Sequence, residues 1–192
     1  MNILTHLRKR RTSRKFKQKT IPKVILNRIL EAGRIAPSAH NSQPWFFVVL
    51  SNKEFKQKLQ LNLMANTEKF VTSANIMLKK ALEIMSQAPC VIFVYNTKVI
   101  SRKLGFMGRP YTSIIDISEI QSIAAAIQNM HLVASALNIG FAWLVFPLLL
   151  EKQITKLLNT NYKLTAILAL GYPLENAKPT TRKKLKEIVK FI

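Results

Sequence analysis

Four short apolar runs divide this chain: WFFVVL (45–50), CVIFVY (90–95), FAWLVF (141–146) and KLTAILALGYP (163–173). Continuous runs of this length suit strands covered on both faces of a sheet, because neither side of the pleat is left polar. Between them the spacing is helical. Residues 2–9 read as a short helix. Pro22 stands where helices begin, and Ile25, Ile29, Leu30 and Gly33 recur at helical intervals up to Ile35. The stretch SNKEF (51–55) marks a turn and then a helix to about Ala65, another helix covers about Ala74–Ser86 ahead of Pro89, and a last one covers 150–159. The longest predicted helix is 119–138, capped by Ser118, with Ile120, Ile123, Ala124, Ile127 and Met130 or Leu132 facing inward and Gly140 ending it. Residues 96–117, with Gly105, Gly108 and Pro110, show little period and predict a long irregular lid or binding loop. The pattern is that of one α+β domain over residues 1–192, without repeats, low-complexity blocks or a linker.

The composition supports a folded core and narrows the chemistry. The chain has 192 residues, 48% of them hydrophobic, enough to bury roughly 70% of the unfolded surface. Cys90 is the only cysteine, so no intrachain disulfide forms and it reads as a small core residue. The basic N-terminus lacks the apolar stretch of a signal peptide. The longest apolar run, Ile139–Leu150, is broken by Gly140 and Pro147 and falls short of the ~20 residues that span a bilayer. A cytoplasmic protein without membrane association is expected. The net charge of +21 gathers in two runs, Arg8–Lys19 and Lys178–Lys190, which suits nucleic acid, an anionic membrane or an anionic ligand. None of the five glycines forms a dinucleotide fingerprint or a P-loop. Three histidines and one cysteine offer no metal-ligand spacing, and Asp116 is the only aspartate for a Ser-His-Asp set. An enzyme of this composition takes its chemistry from a cofactor.

The stretch IAPSAHNSQPW (35–45) places many small hydrogen-bonding groups between Pro37 and Pro44, at the corner between a helix and a strand. With RRTSRKF (10–16), AAAIQNMHLVASALNIGFAW (124–143) and LALGYPLENAKPTTRKKLKEIV (168–189), it forms an ordered set over nearly the whole chain. Together these segments resemble the FMN-dependent nitroreductase family. The resemblance implies a three-layer fold with a central mixed sheet flanked by helices, a long central helix, and an intertwined homodimer with an extended C-terminal tail. It implies FMN held between two subunits, each site drawing on both chains. The family's Arg-x-Ser-x-Arg segment touches the phosphate and the pyrimidine end of the ring, which here points to Arg10, Arg11, Thr12 and Arg14, with Thr12 keeping the serine's hydroxyl. The corner belongs to the neighbouring subunit's site and contributes Pro37, Ser38, Ala39, Asn41 and Gln43; Arg182 and Lys183 match the C-terminal phosphate contacts. Members often carry Trp-Ile-Gly where a backbone N–H approaches flavin N5. Here the segment is Trp143-Leu144-Val145-Phe146-Pro147, so Val145 and Phe146 take that place without the glycine. The polar residue often found early in the long helix is replaced by Ser122 or Gln121.

The chemistry of these residues agrees with the resemblance. Arginines offer forked, permanent cations for a phosphate, and a cation near flavin N1, the role given to Arg14, stabilises the reduced ring. Serine and asparagine on a proline-stiffened corner offer donors and acceptors at little ordering cost. The implied activity passes two electrons from NAD(P)H through FMN N5 to a small electron-poor acceptor, a nitroaromatic or quinone, in ping-pong order, with no catalytic side chain and no metal. Two other classes compete. One is a flavoprotein fed by an acidic electron-transfer protein, which the positive charge would suit. A nucleic-acid-binding domain needs stacking aromatics among its basic residues, and Phe16 is the only one in the 8–19 run, so no specific nucleic acid is expected.

Overall fold

The run Cys90–Asn96 forms strand β2, buried along its whole length, and the sheet is built around it. The structure, a computed structural model, describes residues 3–104, 108–175, 177 and 179–192. On one side of β2 lies β1 (Trp45–Leu50), with Trp45 opposite Asn96 and Leu50 opposite Val91. On the other lies β4 (Lys163–Gly171), which also pairs with β3 (Gly140–Leu144), giving the order β1-β2-β4-β3. All three pairings are antiparallel, and the parallel component of the expected mixed sheet is a single bridge between Thr12 and Phe141.

Alternation along β2 divides the core in two, because successive strand side chains point to opposite faces. Val91, Phe93 and Tyr95 pack with Leu59 and Leu63 of α3 (Lys53–Met64) and with Leu78, Leu82 and Met85 of α4 (Thr72–Gln87). Ile154 of α7 (Glu151–Leu157) joins this side. Ile92 and Val94 face the other way, onto Ile29 of α2 (Lys23–Arg34) and Ile123, Ile127 and Met130 of α6 (Arg109–Ala136). The result is an α+β fold in three layers. A Cβ on Gly33 of α2 would lie 2.9 Å from Met130, so the glycine permits the close approach of α2 to α6. The short helix α1 (Ile3–Lys9) precedes the first basic run.

Several sequence expectations need correction. Strand β1 is an edge strand, not one covered on both faces, and Phe46 and Val49 are exposed on it. The predicted irregular segment 96–117 is mostly helical: α5 covers Val99–Leu104 and α6 begins at Arg109, with Pro110 in its first turn. Gly105 of that segment lies outside the described residues. Short α5 is held by a long-range carboxylate that no local pattern reveals. The buried Glu119 of α6 accepts from the amides of Ile100 (2.8 Å) and Ser101 (3.2 Å) and from Asn96 Nδ2 (3.0 Å). Ser118 lies inside α6, where its hydroxyl donates to Ile115 O, and Ile120 faces outward. The helix is stopped by Asn138 (φ 56°) rather than Gly140, which opens β3.

The first basic run crosses one end of the sheet. Ser13 donates to Phe141 O at 3.1 Å, Lys17 to Tyr172 O at 2.8 Å, and Leu174 returns a bond to Lys15 O at 3.1 Å. The crossing requires the paired Gly140 and Gly171. A Cβ on Gly140 would meet Ser13 Cβ at 2.7 Å, and one on Gly171 would meet Pro89 Cδ at 2.5 Å and Phe16 Cβ at 2.9 Å.

Candidate functional site

Residues 10–16 form a strand-like segment whose backbone is fastened to β3 by the bridge at Thr12 and to the chain after β4 by the bridge at Phe16. Its two leading arginines are used differently. Arg11 turns its Nη1 back onto the carbonyls of Arg8 (2.5 Å) and Arg10 (2.9 Å), satisfying acceptors at the end of α1. Arg10 is partly buried and lies near both Arg11 and Arg182. Its pKa is lowered first by burial and then by the Arg182 and Arg11 cations, yet an arginine so perturbed stays charged. Arg182 is exposed and donates to Thr180 Oγ1 and to Thr181 O. The ion pairs among the described residues, Lys15–Glu175, Arg34–Glu31, Lys79–Glu68 and Lys98–Asp116, include none of Arg10, Arg14 and Arg182. Thus two cations from opposite ends of the chain lie near each other, and neither is in an ion pair among the described residues. Thr12 sits beside Phe141, while Arg14 and Lys183 are exposed.

The polar corner is built on strained backbone. His40, Asn41 and Gln43 adopt φ of 51°, 49° and 46°, a region that side chains other than glycine's enter at a cost. Local bonds hold the shape: Gln43 N donates to Ser38 Oγ (3.0 Å), Asn41 N to Ser38 O (3.0 Å), and the Gln43 amide to Asn41 Oδ1 (3.3 Å). Ser122 of α6 anchors the corner by accepting from Ala39 N at 3.1 Å while donating to Ser118 O at 2.7 Å. Pro44 is buried and its carbonyl accepts from Thr97 N at 2.8 Å; Pro37, Asn41 and Gln43 face outward. Val145 and Phe146, after β3, are exposed apolar residues leading into a short 3-10 turn that spans Phe146–Leu150.

Apart from Arg11, turned back onto α1, and Val145 and Phe146 after β3, the expected site residues fall into two groups within one chain. Arg10, Thr12, Arg14, Arg182 and Lys183 lie with the crossing strand and the tail, whereas Pro37, Ser38, Ala39, Asn41 and Gln43 form the corner. Helix α6 spaces the two. The corner is tied to Ser122 and the strand to His131, whose Nε2 lies 3.3 Å from Arg11 O. Nine helical positions separate these anchors, about 13 Å along the axis.

The donor set fits FMN: forked cations for a phosphate in one group, neutral donors and acceptors for a ring edge in the other. Sequence reasoning missed His131, Gly140 and Gly171 as supports of the strand. A lone histidine in an apolar helix carries no local signal, and a close approach across the sheet shows only in three dimensions.

The Nitroreductase family profile matches residues 7–172. The curated protein named "Putative NADH dehydrogenase/NAD(P)H nitroreductase" of Methanothermobacter thermautotrophicus is 28% identical over 186 residues, covering 95% of this chain and 82% of that protein. A BluB-like flavoprotein from Clostridium difficile superposes with a TM-score of 0.79 at 26% identity, covering 100% of this chain and 99% of the other. A "putative nitroreductase in complex with FMN" from Desulfovibrio desulfuricans gives a TM-score of 0.74 at 25% identity, with 98% and 95% of the two chains covered. With the family pattern running from the arginine strand to the end of the sheet, the chain belongs to the nitroreductase family.

Proposed function

We propose that the protein is an FMN-dependent oxidoreductase acting as a homodimer, with one FMN-binding domain, residues 1–192, in each subunit. The observation that carries the reading is that the Arg10 and Arg182 cations lie near enough to feel each other's charge while neither is in an ion pair among the described residues. Arg10, Arg182 and Lys183 would hold the phosphate, and Thr12 and Arg14 the pyrimidine end of the ring. Ser38, Ala39, Asn41 and Gln43, stiffened by Pro37 and Pro44, would come from the other subunit; Val145 and Phe146 would line the reacting side. Bound FMN would supply two-electron redox chemistry between NAD(P)H and an electron-poor acceptor such as a nitroaromatic or quinone, in two half-reactions. The chain's residues hold and orient the cofactor, and the apolar Val145 and Phe146 keep water from the reacting side.

Two observations support the dimer. The strand and corner groups are anchored at separate places on α6, so a two-fold axis can bring the corner of one copy to the strand of the other. The tail also exposes Leu185, Ile188 and Phe191, and a groove of about 560 Å³ beside edge strand β1, lined by Leu30, Trp45, Phe46 and Val49, is left uncovered by the described residues. Exposed apolar patches of this kind mark association surfaces.

A second reading concerns the electron donor. Lys15 and Lys17 run beside Tyr172–Leu174, which leads into the basic tail, so both basic runs flank one end of the sheet. Lys178 of the second run lies outside the described residues. Such a surface suits an acidic electron-transfer protein, whose electron delivery should then fall steeply with salt. No helix among the described residues is long and apolar enough to cross a membrane, and we place the protein in the cytoplasm.

The direct test is the visible spectrum of protein purified with FMN present, followed by heat release of the bound flavin. About one FMN per subunit and no FAD is the expected result. Colourless protein that takes up no FMN overturns the reading.

A further inference from the structure

We propose that His131 is a positioning residue for the arginine strand, gripping Arg11 directly and Ser13 through Phe141; this rests on the FMN reading above. His131 lies on α6 and is only 5% exposed. Its ring stacks on Phe141 with centroids 4.4 Å apart and planes 13° from parallel. Its Nε2 lies 3.3 Å from Arg11 O. A carbonyl only accepts, so the ring proton sits on Nε2. Phe141 offers its own carbonyl to Ser13 N–H at 3.1 Å, so one side chain braces the end of the strand that lies on β3, at Arg11 and at Ser13.

The register of that strand matters because side chains of an extended segment alternate. Arg11 and Ser13 supply the contacts to the body of the protein, with Ser13 Cβ pressed against Gly140. Arg10, Thr12 and Arg14 are then presented together on the opposite side, and a slip of one residue would reverse the sides. Burial, with Arg10 as a lesser cause, lowers the His131 pKa to about 4 against the opposing pull of its bond to Arg11 O. The ring is therefore neutral near pH 7 and adds no further cation beside Arg10 and Arg11. A leucine could fill the same apolar space, but it would take from Arg11 O the side-chain donor that His131 supplies.

The full chain, freed of flavin, is titrated with FMN by fluorescence quenching as wild type, His131→Phe and His131→Gln, and amide exchange at Ser13 is followed in the flavin-free protein. Phenylalanine keeps a ring on Phe141 and removes the donor; glutamine restores a donor. The expected result is FMN affinity about tenfold weaker and Ser13 exchange about tenfold faster in His131→Phe, with His131→Gln within about threefold of wild type and flavin-free melting temperatures nearly equal. The proposal is overturned if His131→Phe matches wild type in affinity and exchange, or if both variants lose affinity in step with a fall in melting temperature. Failure of the wild type to bind FMN overturns the FMN reading and the site role of His131 with it, whereas unchanged Ser13 exchange in His131→Phe overturns the grip alone.

Discussion

The crossing strand and the polar corner, the two halves of the proposed site, hold their side chains in place by opposite means. The strand has ordinary extended backbone, pinned by hydrogen bonds to Phe141 and Tyr172 and laid over two glycines, and it carries charge. The corner carries no formal charge, and its rigidity comes from three left-handed residues closed by their own side chains and by Ser122. Rigid scaffolding from neighbours suits long cationic side chains, whose charge does the binding. Local strain suits short neutral groups, which must stand at defined points to bind at all.

Each half can be broken separately. The largest effect is expected at the charge: Arg10→Ala should weaken FMN binding about 10- to 150-fold, the worth of a hydrogen bond to a charged group. Adding Arg182→Ala should cost less than it does alone, because the two cations act on one phosphate; a double-mutant cycle by fluorescence titration checks this. Next is the support beneath the strand. Gly171→Ala places a methyl 2.5 Å from Pro89 Cδ and 2.9 Å from Phe16 Cβ, so it should destabilise the protein by about 1–3 kcal/mol and lower the melting temperature by several degrees.

A similar or smaller effect follows from pH. His131 has a folded-state pKa of about 4 against an ordinary value of 6.5. Between these values the unfolded chain binds more protons than the folded one, so stability falls as pH drops from about 6.5 towards 4 and the His131 contribution is fully present above 6.5. The loss should be about 1–3 kcal/mol in urea unfolding, and His131→Gln should remove most of this pH dependence. The smallest effect belongs to the corner. Gln43→Gly relieves a φ of 46° and should stabilise the flavin-free protein by about 1 kcal/mol while weakening FMN binding, a change of opposite sign to that at Gly171.

The same contrast explains what the sequence disclosed. The strands and most helices were legible because they rest on local signals, apolar runs and prolines, and the ordered motifs RRTSRKF and PSAHNSQPW pointed to the two groups proposed as site residues. Segment 96–117 was misread because α5 is held by Glu119 from a distant part of α6, and a six-residue helix has too little period of its own. Strand β1 looked buried on both faces because an edge strand with exposed Phe46 and Val49 is as apolar in sequence as a central one. His131 was silent because its bond to Arg11 spans most of the chain.

The central claim is that the corner of one subunit serves the arginine strand of the other. It is tested by mixing two crippled subunits. One carries Arg10→Ala and Arg182→Ala; the other carries alanine at Ser38, Asn41 and Gln43. Each alone should bind FMN weakly. In the mixed dimer the unaltered corner of the first meets the unaltered strand of the second, so the account predicts one FMN bound per mixed dimer with wild-type affinity. If each site instead lies within one chain, every site in the mixture is damaged, and the absence of any tight FMN binding contradicts the account.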